Sequence, residues 1–471
     1  MAASSTQPTV TGPITGGKHG WPFGSPVDPV SRYGYSETEY FIDGTATRYR
    51  PVGEFGPGGG WDAEPAGMAP FRTRIVVYRP DDAARFNGTV VVSWNNVTSG
   101  YDLLSAAENR HLFEGGFGIV GATVQRVGVE GFPSNPQGLR TWDPERYGSL
   151  SIPNDDYSFD IFTQAGRAVG PDRVRASLDP MAGLDVRRLI AHGASQSAGY
   201  LATYINAIHP LAGLFDGFAP MLWFANGAKL DKGDQVWDPL NMPIEEREAY
   251  AFPLATVKIR PDHTAPVLVV NSETEAPYCH AVSQPDTERF RFWEVAGTAH
   301  VSRQGTLARM RGFERDGVAS ALAAEGTNEL PIGPVYNAAY AAMHRWLTAG
   351  EAPPIQPRIE FGGDPPVIQR DSLGIAKGGV RLPQADAPLA QHSSIPWTDD
   401  VRDLLRGSTR PFPPGKVEEL YGSRDAYLAK FRAAAAEAVS RSVLLAAEVP
   451  ALEAEAADEW VAATRNDGGL K

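Results

Sequence analysis

Cysteine is nearly absent: Cys279 is the one thiol among 471 residues. It closes no internal disulfide and builds no cysteine-based zinc centre, so the fold has to stand without covalent staples. Positive charge is also short, with 43 Lys and Arg against 56 Asp and Glu, a net charge of −13. A surface of that sign repels phosphate backbones and anionic lipid, so neither nucleic acid nor a membrane surface is an expected partner. Long apolar runs are missing as well. Nothing approaches the roughly 18 uninterrupted apolar residues of a membrane-spanning helix, and the first residues lack the basic and apolar regions of a signal peptide. The expectation is a soluble, cytoplasmic protein. No fixed-period repeat, P-loop, dinucleotide fingerprint or metal-spaced His cluster appears, so no cofactor and no metal is expected.

What is present suits a globular enzyme: 42% apolar residues and 21% charged, enough for a large core. From about Arg72 to Ala349, short β-branched runs alternate with longer segments of helical period, the pattern of a mostly parallel sheet flanked by helices. Strands are expected at Arg74 to Tyr78, Thr89 to Ser93, Gly118 to Thr123, Val186 to Ala191, Phe215 to Leu222, Pro266 to Asn271 and Phe290 to Val295. Helices are expected at Tyr101 to Glu114, Tyr157 to Gly170, Ser197 to Ile208 and Val335 to Leu347. Residues 1–33 read as a flexible leader, 34–350 as the catalytic domain and Pro51 to Pro70 as a Gly/Pro loop. A cap insertion is expected at 226–265. Residues 351–471 read as an extension packed on the catalytic domain, Pro-rich at first and helical from Asp425 to Ala463.

The most informative stretch runs from Val186 through His192-Gly-Ala-Ser-Gln-Ser-Ala-Gly199: a strand, a tight turn of small residues, then a helix. It reads as a nucleophile elbow, in which the sharp turn demands small residues two before and two after the nucleophile. Gly193 and Ser197 fill those places around Ser195. Ser197 is a rival frame, but it lies deeper in the expected helix. A serine hydroxyl needs a base, and His300, in a loop after the run Phe292-Trp-Glu-Val-Ala-Gly, is placed to supply it. His192 precedes the turn and is expected to point away. The orienting acid belongs between nucleophile and histidine in chain order. Glu275 is the first choice, with Glu273 the alternative and Asp286 third. For the oxyanion hole the expected donors are the N–H of Gln196, which follows the nucleophile, and Asn96 or its neighbour Val97 in the loop after Thr89 to Ser93. Trp94, Trp223, Phe224 and Tyr278 are candidate pocket walls.

Several blocks together resemble a known family: Gly34-Tyr-Ser-Glu-Thr-Glu-Tyr-Phe, Phe86-Asn-Gly-Thr-Val-Val-Val-Ser-Trp-Asn-Asn-Val, Gly193-Ala-Ser-Gln-Ser-Ala-Gly, Asn271-Ser-Glu-Thr-Glu, Trp293-Glu-Val-Ala-Gly-Thr-Ala-His and Gly378-Gly-Val-Arg-Leu-Pro. On these residues the chain is similar to the bacterial α/β-hydrolase domain proteins, largely uncharacterised esterase-like serine hydrolases. The resemblance implies the α/β-hydrolase fold, with N-terminal, cap and C-terminal additions. It also implies a triad of Ser195, His300 and an acidic residue. The expected activity is cleavage of small-molecule carboxylic esters or lactones. Acyl transfer by the same triad and a non-catalytic binding protein of the same fold are the alternatives.

Overall fold

Valine-rich runs build the centre of the molecule. In the computed structural model, residues 7–465 are described except 105, 107, 108, 174–177, 237, 239–253, 319–323 and 397–403. Among them, nine strands form one sheet: β1 (Thr9–Thr11), β2 (Tyr35–Val52), β3 (Asp62–Pro80), β4 (Thr89–Trp94), β5 (Gly118–Ala122), β6 (Arg188–Ala194), β7 (Gly217–Met221), β8 (Val267–Ser272) and β9 (Phe290–Val295). Their spatial order is β1-β2-β3-β5-β4-β6-β7-β8-β9. The six strands from β5 to β9 in that order run parallel, and β1, β2 and β3 join antiparallel at the other edge.

Alternation along the strands explains why both faces are covered. In β4, Val90, Val92 and Trp94 enter one hydrophobic core while Val91 enters the other; in β8, Val267 and Val269 part in the same way from Leu268 and Val270. A strand with apolar side chains on both sides has to be sandwiched. Each such side chain contributes roughly 1.5–3 kcal/mol by leaving water. The first core is closed by the helices Ser158–Val169 and Gln196–Thr203, the second by Gly333–Ala349, Arg424–Ser440 and Val449–Thr464. The late helices therefore share a core with the catalytic body. No helix of the described residues is long and apolar enough to cross a membrane.

Three expectations are corrected. Residues 7–33 are packed rather than flexible: β1 pairs with β2, His19 stacks on Trp142 with ring centroids 3.9 Å apart, and Trp21 Nε1 donates to Asp316 at 2.9 Å. The aromatics in this Gly/Pro-rich segment supply the apolar area that anchors it. The loop expected over Pro51 to Pro70 is short, because Asp62 onward is already β3 and pairs with β2 from Val52↔Asp62. Of the helix expected from Tyr101 to Glu114, the described residues form one α-helix, Arg110–Glu114. Leu103 instead bridges Asn96, and Asp102 is drawn into a buried ion pair with Arg74 at 2.8 Å. A charge removed from water needs that partner more than the chain needs a helical turn. Of the expected cap at 226–265, residues 237 and 239–253 lie outside the described residues.

Candidate active site

The parallel strands deliver their C-terminal ends to one edge, where loops of such sheets form ligand sites. β6 ends at Ala194 and the next helix begins at Gln196, so Ser195 makes the turn alone. It holds φ 60° and ψ −121°, a backbone conformation that side chains rarely adopt and that costs on the order of 1–3 kcal/mol. Gly193 permits the turn: a Cβ there would sit 2.6 Å from the Ser197 carbonyl oxygen. At the second small position, the Ser197 hydroxyl folds back to donate to Ala194 O at 2.9 Å and to accept the Ala194 N–H at 3.0 Å. The rival hydroxyl is fully buried inside the turn.

Ser195 Oγ lies 2.9 Å from His300 Nε2, and His300 Nδ1 lies 2.6 Å from Glu275 Oε1. The acid follows β8 and the histidine follows β9, and these strands are neighbours in the sheet. The imidazole is fixed further by its backbone N–H, which donates to Thr274 Oγ1 at 3.1 Å, and by stacking on Phe224, ring centroids 5.2 Å apart. The other oxygen of Glu275 accepts from the Ser272 N–H at 2.8 Å and the Ser272 hydroxyl at 2.7 Å. With both Ser272 donors on Oε2, only Oε1 is left for the histidine. This arrangement favours a proton on Nδ1 and a lone pair on Nε2, which can accept the Ser195 hydroxyl proton.

Glu273 is equally buried and faces elsewhere. Its Oε2 accepts the Gly297 N–H at 2.7 Å, while its Oε1 accepts from Arg370 at 2.6 Å and from the Ser394 hydroxyl at 2.8 Å. It ties the β8 loop, the β9 loop and the C-terminal segment together. Replacing Glu273 with Gln is expected to lower the unfolding free energy by about 3 kcal/mol, because Arg370 loses its buried partner. The same change should reduce kcat by less than about 100-fold, the usual ceiling for a residue one layer back. Urea titration and steady-state kinetics on the same preparation check both. Asp286 accepts from the Phe292 N–H and pairs with Arg358, away from the histidine. His192 lies 2.9 Å from the Tyr340 hydroxyl, and burial pushes its imidazole down to about 4.

A cavity of about 550 Å³ opens over Ser195. The Gln196 N–H, at the helix start, has no acceptor among the described residues and borders it. The expectation for Asn96 is corrected. Its N–H is spent on Leu103 O at 2.9 Å, and its side-chain amide donates to Ala194 O at 3.1 Å. That second bond clamps the loop to the elbow, and the neighbouring Val97, whose N–H has no acceptor among the described residues, lines the cavity. Phe224 and Tyr278 line the cavity, whereas Trp94 and Trp223 are sunk in the core. Trp94 is held by Gln125 through its Nε1, and Trp223 by Asn226 O.

Sequence reasoning did not find the rest of the lining. One wall is polar: Gln125, Asp155, Tyr200 and Lys232, with Lys232 Nζ donating to the Tyr200 hydroxyl at 3.1 Å. Burial pushes the Lys232 ammonium down to about 8, against the pull of Asp155 and Asp156. Another wall, Ser394 to Pro396 with Leu404 and Leu405, comes from the C-terminal extension. No local pattern marks these residues, because they lie on segments up to 280 positions apart (Gln125 to Leu405).

Known structures of similar chain path include esterase Est22 with p-nitrophenol, at 14% identity over 58% of this chain and 81% of that one, with a TM-score of 0.29. An α/β serine hydrolase without a lid from Xanthomonas campestris matches at 12% identity over 54% of this chain and 83% of that one, TM-score 0.27. One of two fungal esterases from Rhizomucor miehei matches at 12% identity over 58% and 84%, TM-score 0.30. No curated protein matches the chain in sequence. The model of the alpha/beta hydrolase domain, by contrast, matches residues 10–454, from β1 into the last helix. With a mostly parallel sheet that presents Ser195 on a strained turn between strand and helix, the chain belongs to the alpha/beta hydrolase domain family.

Proposed function

We propose that the protein is a serine hydrolase that cleaves carboxylic esters or lactones through an acyl-enzyme intermediate. The observation that carries this reading is the unbroken line Ser195 Oγ, His300, Glu275 at 2.9 and 2.6 Å, ending in a cavity bordered by Gln196 and Val97, whose N–H groups have no acceptor among the described residues. His300 takes the Ser195 proton as Oγ attacks the substrate carbonyl, and Glu275 stabilises the imidazolium that results. The N–H groups of Gln196 and Val97 receive the oxyanion, whose charge is worth most to a donor already in place. His300 then protonates the leaving alkoxide. A water, deprotonated by the same histidine, releases the acid and restores Ser195. Esters and lactones are preferred to amides, since an alkoxide is expelled from the tetrahedral intermediate more readily than an amine. The mixed lining suits a substrate with an apolar group towards Phe224, Tyr278 and Leu405 and polar groups towards Gln125 and Lys232.

A fluorophosphonate probe tests this reading. One adduct per chain is expected, on the peptide that contains Ser195, and excess p-nitrophenyl ester should slow its formation. A folded protein that takes no label, or takes it on Ser197, would overturn the assignment.

A further inference from the structure

We propose that the protein carries a second small-molecule site, behind the helix Ala276–Val282 as seen from Ser195, which takes an organic amine with an apolar body and pairs its ammonium with Glu294. A cavity of about 460 Å³ lies there, within the size range of small-molecule sites. The two cavities share one wall. Along Trp223 to Asn226, alternate residues face opposite ways: Phe224 and Asn226 line the Ser195 cavity, and Trp223 and Ala225 line the second. The helix does the same, with Tyr278 on one side and Cys279, His280 and Val282 on the other.

Glu294 is the reason to expect a cation. It lines the second cavity, is 3% exposed, and receives one side-chain hydrogen bond among the described residues, from the Ile359 N–H to Oε2 at 2.9 Å. Its other oxygen receives none among the described residues. The nearby Arg358 attracts Glu294 but makes its ion pair with Asp286 at 3.0 Å, and its guanidinium lies over the Phe292 ring at 4.1 Å. Counting Glu294, Asp286 and Arg358, the ionised cavity has a surplus of one negative charge. Desolvation pushes the Glu294 carboxyl up to about 7, against the pull of the Ile359 N–H and of Arg358.

The walls suit the rest of such a ligand. Trp223, Phe290, Phe292 and Phe361 present aromatic surface, which favours both an apolar body and a cation held against ring faces. His280 stacks on Phe361 with centroids 4.1 Å apart, extending a flat surface toward the rim. Ile355, 65% exposed, stands at that rim and leaves a route in from solvent.

The test is calorimetric titration of the full chain with 2-phenylethylamine and with 2-phenylethanol, a neutral analogue of similar shape. Saturable binding of the amine is expected, at least about 10-fold tighter than the alcohol, as an ion pair out of water requires. Glu294→Gln keeps an acceptor for the Ile359 N–H and should weaken the amine about 10-fold or more while leaving the alcohol unchanged. Phe361→Leu, at a half-buried position in the aromatic lining, should weaken the amine several-fold and serves if Glu294→Gln does not fold. The proposal is overturned if the amine binds no tighter than the alcohol. It is equally overturned if amine affinity is unchanged in the folded variants, which would place the amine elsewhere.

Discussion

Ser195→Ala is expected to lower kcat for p-nitrophenyl esters by about 10⁶-fold, the scale on which loss of the nucleophile disables serine triads. The size of the effect follows from the lack of a substitute. Ser197, two residues on, is sealed in the elbow by its two hydrogen bonds to Ala194. The Thr274 hydroxyl accepts the His300 N–H and sits beside the imidazole rather than in front of Nε2. A residual rate above that of water should survive, since the N–H groups of Gln196 and Val97 would still polarise a bound carbonyl. The fold should be untouched: alanine and serine meet the same strain at φ 60°, and the backbone N–H of residue 195 keeps its bond to Met221 O. The melting temperature is therefore expected within a few degrees of wild type. Turnover that persists in Ser195→Ala and disappears in Ser197→Ala would assign the chemistry to the wrong hydroxyl here.

Glu275→Gln is expected to reduce kcat by about 10⁴-fold, with KM little changed. The reason lies in what surrounds the carboxylate. Ser272 aims both its N–H and its hydroxyl at Oε2. A glutamine would satisfy them with its carbonyl oxygen and so turn its NH2 towards His300 Nδ1. The imidazole then has to accept at Nδ1 and carry its proton on Nε2, the tautomer that cannot take the Ser195 proton. Geometry survives and the base is lost. Glu275→Asp should recover part of the rate, because a carboxylate that reaches Nδ1 only poorly still favours the productive tautomer. Steady-state kinetics on protein with an unchanged melting curve would check this. A Gln variant within tenfold of wild type would mean that Glu275 orients nothing that matters.

The contrast with Glu273 shows where reading the chain reaches its limit. Two carboxylates two residues apart in Ser272-Glu-Thr-Glu are equivalent as text, and loop length alone favoured the second. Their separation in space depends on Arg370 and Ser394, about 100 and 120 residues downstream, which draw the Glu273 carboxylate away from His300. Asn96 makes the same point. The loop was legible because it follows a buried strand, yet which N–H is left for the cavity turned on Leu103, which pairs with Asn96 beside the Asp102–Arg74 ion pair.

Some features were set by local chemistry and needed no distant partner. A strand that ends in Gly193-Ala-Ser195 and leads into a helix has one tight way to turn, and only small flanking side chains permit it, so the elbow is written into five consecutive residues. Continuous Val and Leu runs such as those in β4 and β8 can be buried on both faces only in a covered sheet, which made the α/β class readable from hydrophobic pattern alone. Other features depend on contacts that no window of sequence contains. The polar wall around Lys232, the closure of the Ser195 cavity by Ile395 and Leu405, and the cavity behind Trp223 each join segments that meet only when the sheet has assembled. Side-chain direction and burial fix their chemistry, and both are properties of packing rather than of neighbours in the chain.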